Sequence, residues 1–377
     1  MQIAFHIGAH CTDEDQLVKS LVKNNQIFTE QGVAVPGPSR YRKLLADVAV
    51  KLAGKSASLE TQDMVLEQIL DGTDPDRLVF SFDNFISGPR RALEDGMLYP
   101  AAAEKARVLH NLFPDHKVEF FLAVRDPATF VPAFLTKYTD IDRGEVMSKL
   151  NPMGMVWSDI IKDIREENPD CQITVWCNED TPLIWPEVMH EITAIDMRVL
   201  FKGGLDIIAQ IMEREGVKRL RAYMAENQPT NEIQRRRVLA AFLDKYAIED
   251  AVEQEINLPG WTAELVEELS ASYEDDMLEI AQRLAEIGNQ LLLDFRPGLG
   301  GDSLAPAMFY RTERFEIVKR QPETALARHH PLVVVEAAFL ADPADPFCHR
   351  TVIEHHRLHQ HARRGRLQHA EHGGFER

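Results

Sequence analysis

Cysteine is scarce: four residues in 377, at positions 11, 171, 177 and 348. So few, so scattered, they exclude a disulfide scaffold and read as thiols kept reduced. No apolar run approaches the roughly 18 residues needed to cross a bilayer. Positive charge is short as well, with 42 Lys and Arg against 60 Asp and Glu and a formal net charge of −18. A chain this acidic lacks the cationic face that nucleic acid or an anionic membrane surface requires, although a small basic pocket remains compatible with it. The opening residues Met1 to Gly8 carry no basic run, so no secretory signal is expected. Together these absences place the protein in the cytoplasm of a bacterium-like cell and leave a small molecule or another protein as its partner.

What is present is an ordinary globular composition, 45% apolar and 27% charged. Up to about residue 180, short apolar runs alternate with helical stretches. Ile3 to Ile7, Gly32 to Val35, Leu78 to Phe82, Val118 to Val124 and Gln172 to Trp176 read as strands, most of them bounded by Gly or by Pro-Asp turns. Between them Leu17, Val18, Leu21 and Val22 share a helix face, as do Ala103, Ala106, Leu109 and Leu112. Strands separated by helices imply an α/β fold with a parallel sheet covered on both faces. From 181 to 290 the pattern is mainly helical, with helices expected over Leu205 to Arg214, Val217 to Glu226, Asn231 to Tyr246 and Thr262 to Leu284, Thr262 being the N-cap of the last. Residues 1–295 therefore read as one domain.

The remainder, 296–377, has another character. It holds 9 of the 14 His, all between His329 and His372, and ends in His, Arg, Gln and Gly. It reads as an appendage, partly disordered toward its end, or as the product of a shifted reading frame. Cys348, His349, His355 and His359 would collect nickel or zinc adventitiously, and no physiological metal is expected.

A strand ending at Gly8 and followed by an amphipathic helix is where an α/β protein offers free N–H groups to an anion. The segment His6-Ile7-Gly8-Ala9-His10-Cys11-Thr12-Asp13-Glu14-Asp15-Gln16-Leu17 resembles the donor loop of bacterial sulfotransferase-family proteins, H-I-G-x-x-K-T-G-T-T-x-L. Phe121-Leu122-Ala123-Val124-Arg125-Asp126-Pro127 is similar to that family's strand followed by R-[ND]-P. Val79 to Phe85 and Tyr273-Glu274-Asp275-Asp276 resemble further segments of it, so the likeness covers about residues 1–290. The resemblance implies a P-loop-like parallel sheet of sulfotransferase type with a helical extension. It also implies 3′-phosphoadenosine-5′-phosphosulfate as donor, with Gly8, Cys11 and Thr12 at its 5′ end and Arg125 on its 3′-phosphate.

The loop departs from the family pattern at the charged positions. Cys11 stands where the family has Lys, Asp13-Glu14-Asp15 where it has Gly-Thr-Thr, and Ala133 where a Ser partners the Arg. Thr12 and Asp15 form a capping-box-like pair, which predicts Thr12 as the cap of the helix that follows. Three carboxylates at a helix start, with no Lys in the loop, predict weak donor binding or none. Asp83 is either the base that takes a proton from an acceptor hydroxyl or a turn residue. His10 is either a second catalytic group or a solvated loop residue. Arg125 either clamps phosphate or pairs with Asp126 or Asp83. Arg40 and Arg42 read as a solvated basic patch, and Arg235 to Arg237 as an exposed helix face. Two functions follow: transfer of a sulfuryl group to a hydroxyl, or a non-catalytic binding module on the same fold.

Overall fold

The computed structural model describes residues 1–248, 251, 258–286 and 290–292. Six strands, β1 (Gln2–His6), β2 (Val33–Ala34), β3 (Arg77–Ser81), β4 (Lys117–Val124), β5 (Gln172–Cys177) and β6 (Gln290–Leu292), form one sheet in the order β2-β3-β1-β4-β5-β6. Every pairing is parallel. Alternation along the strands divides the core. Ile3, Phe5 and Ile7 of the first strand, Phe120, Leu122 and Val124 of β4, and Ile173, Val175 and Cys177 of β5 enter one apolar cluster. Ala4, Phe121, Ala123 and Trp176 enter the other. Cys171 and Cys177 lie buried in the same cluster, as strand alternation requires of residues six apart.

The first face is covered by α3 (Pro38–Leu52), α4 (Leu59–Leu70), α5 (Ala102–Leu112), α6 (Pro127–Lys137), α8 (Trp157–Glu167) and α12 (Ala263–Glu286). The second is covered by α1 (Gln16–Val22), α2 (Asn25–Glu30), α9 (Thr181–Thr193), α10 (Arg214–Glu226) and α11 (Glu232–Tyr246). A short α7 (Arg143–Lys149) follows α6 in the chain. The chain is thus α/β, with a parallel sheet flanked by helices. No helix among the described residues is long and apolar enough to cross a membrane.

Long-range polar contacts tie the layers together. Arg77 of β3, nearly inaccessible, donates to Glu119 of β4 at 2.7 Å, to Gln2 of β1 at 2.7 Å and to the Ile192 carbonyl of α9 at 2.8 Å. Burial alone would raise the Glu119 carboxyl, but Arg77 and Lys117 outweigh it and hold it below the usual range. Asp276 on α12 accepts from the Trp157 N–H at 2.7 Å and the Ser158 N–H at 3.2 Å, so a residue 119 positions away caps α8.

Two expectations require correction. Residues 205–213 do not form an α-helix; Ile208–Gln210 makes a single 3-10 turn, and Arg214 begins α10. The segment is a run of turns tied to other elements: Asp206 accepts from Ser20 and Lys23 of the α1 region, and Met212 bridges to Ala247. Arg235 to Arg237 are not one exposed face. Arg235 is buried, and both it and Arg236 bind Glu187 of α9. β6 is a strand the sequence reading did not include; it lies beyond the helix expected over Thr262 to Leu284, which the structure shows as α12. Residues 296–377, and with them Cys348 and the His-rich tail, lie outside the described residues.

Candidate functional site

The strand order reverses at β1: β2 and β3 lie on one side of it, and β4, β5 and β6 on the other. The first connection runs from β1 by α1 and α2 across the second face to β2, whereas α3, α4 and α5 cover the opposite face. Such a reversal opens a crevice beyond the strand ends, where α/β proteins hold ligands. The loops after β1, β3 and β4 meet there, and they bring Gly8, His10, Cys11, Thr12, Asp83 and Arg125 together.

The β1 loop first prolongs the sheet: Ala9 N–H donates to the Ala123 carbonyl and Ala123 N–H to the Gly8 carbonyl, both at 2.8 Å. Gly8 has φ +126°, and a Cβ there would stand 3.3 Å from the Asp83 carbonyl, so the close approach of the β1 and β3 loops needs glycine. His10 is fully buried between them. Its backbone N–H donates to the Tyr99 hydroxyl at 2.9 Å, and that hydroxyl lies 2.6 Å from the ring Nδ1. The hydroxyl accepts once and so is able to donate its own proton to Nδ1, which leaves the proton of the neutral ring on Nε2. Nε2 faces Asn84 Oδ1 at 2.8 Å, an acceptor, which suits that tautomer. Burial lowers the His10 pKa, although Asp83 pulls it upward. A ring with both nitrogens engaged is a connector between the loops, neither a solvated residue nor a group poised to take a substrate proton.

Thr12 does not cap α1. Its hydroxyl donates back to the Ala9 carbonyl at 2.7 Å, and the helix begins only at Gln16. Asp13 takes over the role, accepting the Leu17 N–H at 2.9 Å. Asp15 turns outward in the left-handed region with φ 63° and makes no cap bond. The reason is tertiary. Arg42 of α3 reaches across to Asp15 at 2.5 Å and to the Ser81 carbonyl at 2.9 Å, with its guanidinium 4.3 Å above the Phe82 ring. The hydrogen bond from Arg42 holds the Asp15 carboxyl below its ordinary range. Arg42 is therefore part of the crevice wall rather than a solvated patch.

Glu14 is matched too. Lys137, at the end of α6, binds both its carboxylate oxygens at 2.8 and 2.7 Å and stands 3.9 Å from Asp83. Burial would lower the Lys137 pKa, but Glu14 outweighs it and raises it. Asp83, in the turn after β3, is half-buried beside this ammonium. Tyr138 borders the same spot, with its phenol pushed up to about 12 by burial and by Asp83. Arg125 donates to the Cys11 carbonyl and, at 3.1 Å, to Thr129 Oγ1. The Cys11 thiol is buried and raised to about 11, with burial outweighing Lys137 and Arg125.

The loop itself holds no Lys, as the sequence shows, but cations from other elements reach two of its carboxylates. Glu14 pairs with Lys137 and Asp15 with Arg42, Asp83 stands beside Lys137, and Asp13 accepts the Leu17 N–H. The Arg125–Thr129 contact has a visible signal, the i, i+4 spacing from strand end to first helical turn. Lys137, Arg42 and Tyr99 have none, because they lie 123, 27 and 89 positions from their partners. Among the described residues no group of three or more His, Cys, Asp or Glu is arranged to hold a metal ion. No protein-family model, curated protein or solved structure matches the chain.

Proposed function

We propose that this chain is a non-catalytic binding module on a sulfotransferase-like framework, with its former donor crevice closed by internal ion pairs. One observation carries the reading. Each cation at the crevice is engaged by the protein itself: Arg42 by Asp15, Lys137 by Glu14, and Arg125 by the Cys11 carbonyl and Thr129. A phosphosulfate entering here would have to displace the carboxylates seated on Arg42 and Lys137 and the Cys11 carbonyl seated on Arg125. Each like-charge encounter at about 4 Å opposes it by about 1 kcal/mol in water and about 4 kcal/mol at an effective dielectric of 20. Transfer chemistry also needs charge stabilisation at the bridging oxygen. Cys11, neutral and buried in the position of the family Lys, supplies no such charge.

Calorimetric titration with 3′-phosphoadenosine-5′-phosphate tests the reading. The expected result is no saturable heat at millimolar nucleotide; micromolar binding would return the chain to the transferases, with Asp83 as acceptor base and Arg125 as phosphate clamp. The converse is a repaired loop carrying Cys11→Lys, Asp13→Gly, Glu14→Thr and Asp15→Thr. It frees Arg42 and Lys137 and should acquire nucleotide binding. Continued failure of the repaired loop would show that the framework itself is not of that type.

A further inference from the structure

Three buried polar atoms have no hydrogen-bond partner within the protein: His6 Nε2, at the end of the strand face that α9 covers, and Thr181 Oγ1 and Trp185 Nε1 on α9 itself. Their residues are 1%, 5% and 0% exposed. His6 ends β1 on the Ala4 face; its Nδ1 lies 2.9 Å from Ser81 Oγ and its ring stacks on Trp176 at 5.5 Å. The small side chain of Ala123, in register with Trp176 on the intervening strand, leaves room for that contact. On α9, Thr181, Trp185, Val188 and Ile192 recur at i, i+4, i+7 and i+11 and form one stripe. The opposite side of the helix faces α11, since Arg235 binds the Leu183 carbonyl and Glu187 there. The stripe therefore faces the sheet, where Trp176 and Trp185 belong to the same apolar cluster.

A buried polar atom left unpaired costs as much as a lost hydrogen bond, and three where one helix covers the sheet is improbable in a stable fold. We propose that an ordered water, or a short chain of waters, is built in between α9 and the sheet and bridges the three groups. Proteins hold on the order of one buried water per 27 residues, each making about three hydrogen bonds. The chemistry of the set fits. The Trp185 indole only donates, so the water accepts from it and donates to Thr181 Oγ1 and to His6 Nε2. His6 Nε2 is then unprotonated, and Nδ1–H donates to Ser81 Oγ. The site lies under the strand that feeds the crevice and is independent of what the crevice binds.

Two measurements decide it. In the intact protein, rotating-frame cross-relaxation should connect the Trp185 indole proton to a long-lived water, and the ¹⁵N shift of His6 Nε2 should be that of an unprotonated nitrogen. Thr181→Val, nearly isosteric, should lower the melting temperature by about 2 °C or more, because the water loses a partner. If the three atoms are true orphans, Thr181→Val only relieves a buried hydroxyl, and the melting temperature rises or stays put. Either that result or an indole without a water contact overturns the proposal, and the second is read on the unmodified chain.

Discussion

His10 holds the β1 loop to the β3 loop through Asn84 and to the following segment through Tyr99. It does so as a neutral ring, and its pKa is lowered by burial from 6.5. The folded protein therefore resists protonation that the unfolded chain accepts, and stability falls as the pH drops below about 6.5. His10→Gln removes this linkage. Its melting temperature should lie below that of the wild type above pH 7, and the gap should narrow as the pH falls from 6.5 toward 5. A gap that is constant across this range would show that His10 does not stay neutral in the folded state. Cys11 gives a second test at this scale. A thiol raised to about 11 and buried is almost wholly protonated at pH 8. Peptide mapping after brief exposure of the native protein to iodoacetamide at pH 8 should find Cys11 unlabelled, and labelled once the chain is unfolded.

Among the elements, α12 supplies Asp276, 119 positions from Trp157, as the acceptor that starts α8. Asp276→Ala should cost about 0.5–2 kcal/mol, the ordinary worth of an N-cap, and Asp276→Asn, which keeps an acceptor, should cost less. Urea denaturation of both variants measures the difference. Burial raises the Asp276 carboxyl. This term therefore runs opposite to that of His10: the folded state binds the proton more tightly, and the contribution is lost as the pH rises through the raised value. The join between α10 and α11 is closer still. A Cβ at Gly216 would meet Tyr246 Cβ at 2.4 Å and its ring at 2.7 Å. Gly216→Ala gains helix propensity but forces the two helices apart. The clash should dominate, with a net loss of about 1–3 kcal/mol by the overpacking scale, visible as a lower urea midpoint.

At the scale of the whole molecule, the Arg77–Glu119 pair binds three neighbouring strands and α9 at the amino edge of the sheet. Removing one partner of a buried pair leaves the other charge uncompensated, and Glu119→Ala should cost about 3–5 kcal/mol. Exchanging both residues for apolar ones should cost less, and a double-mutant cycle in urea separates the two cases. A cost under about 1 kcal/mol for Glu119→Ala would mean that Gln2 and the Ile192 carbonyl suffice for Arg77.

Local pattern by itself determined the five longer-read strands, to within about a residue at most ends, and most of the helices around them. Alternation and turn residues act over a few positions, so Ile3 to Ile7 bounded by Gly8, or Val118 to Val124 bounded by Pro114, leave little choice. The reading of Thr262 as a cap also lies in contiguous residues, and Thr262 accepts the Leu265 N–H at 3.2 Å. Tertiary structure decided what contiguous residues do not carry. Thr12 loses its cap role to Asp13 because Arg42, 27 positions from Asp15, draws that carboxylate away. The acidic loop is neutralised by Lys137, 123 positions from Glu14. Residues 205–213 make turns in place of the expected helix, with Asp206 bonded to Ser20 and Lys23 across the fold. In each case an ion pair or hydrogen bond formed across the fold outweighs a local preference worth about 1 kcal/mol or less, and no window of sequence contains both partners.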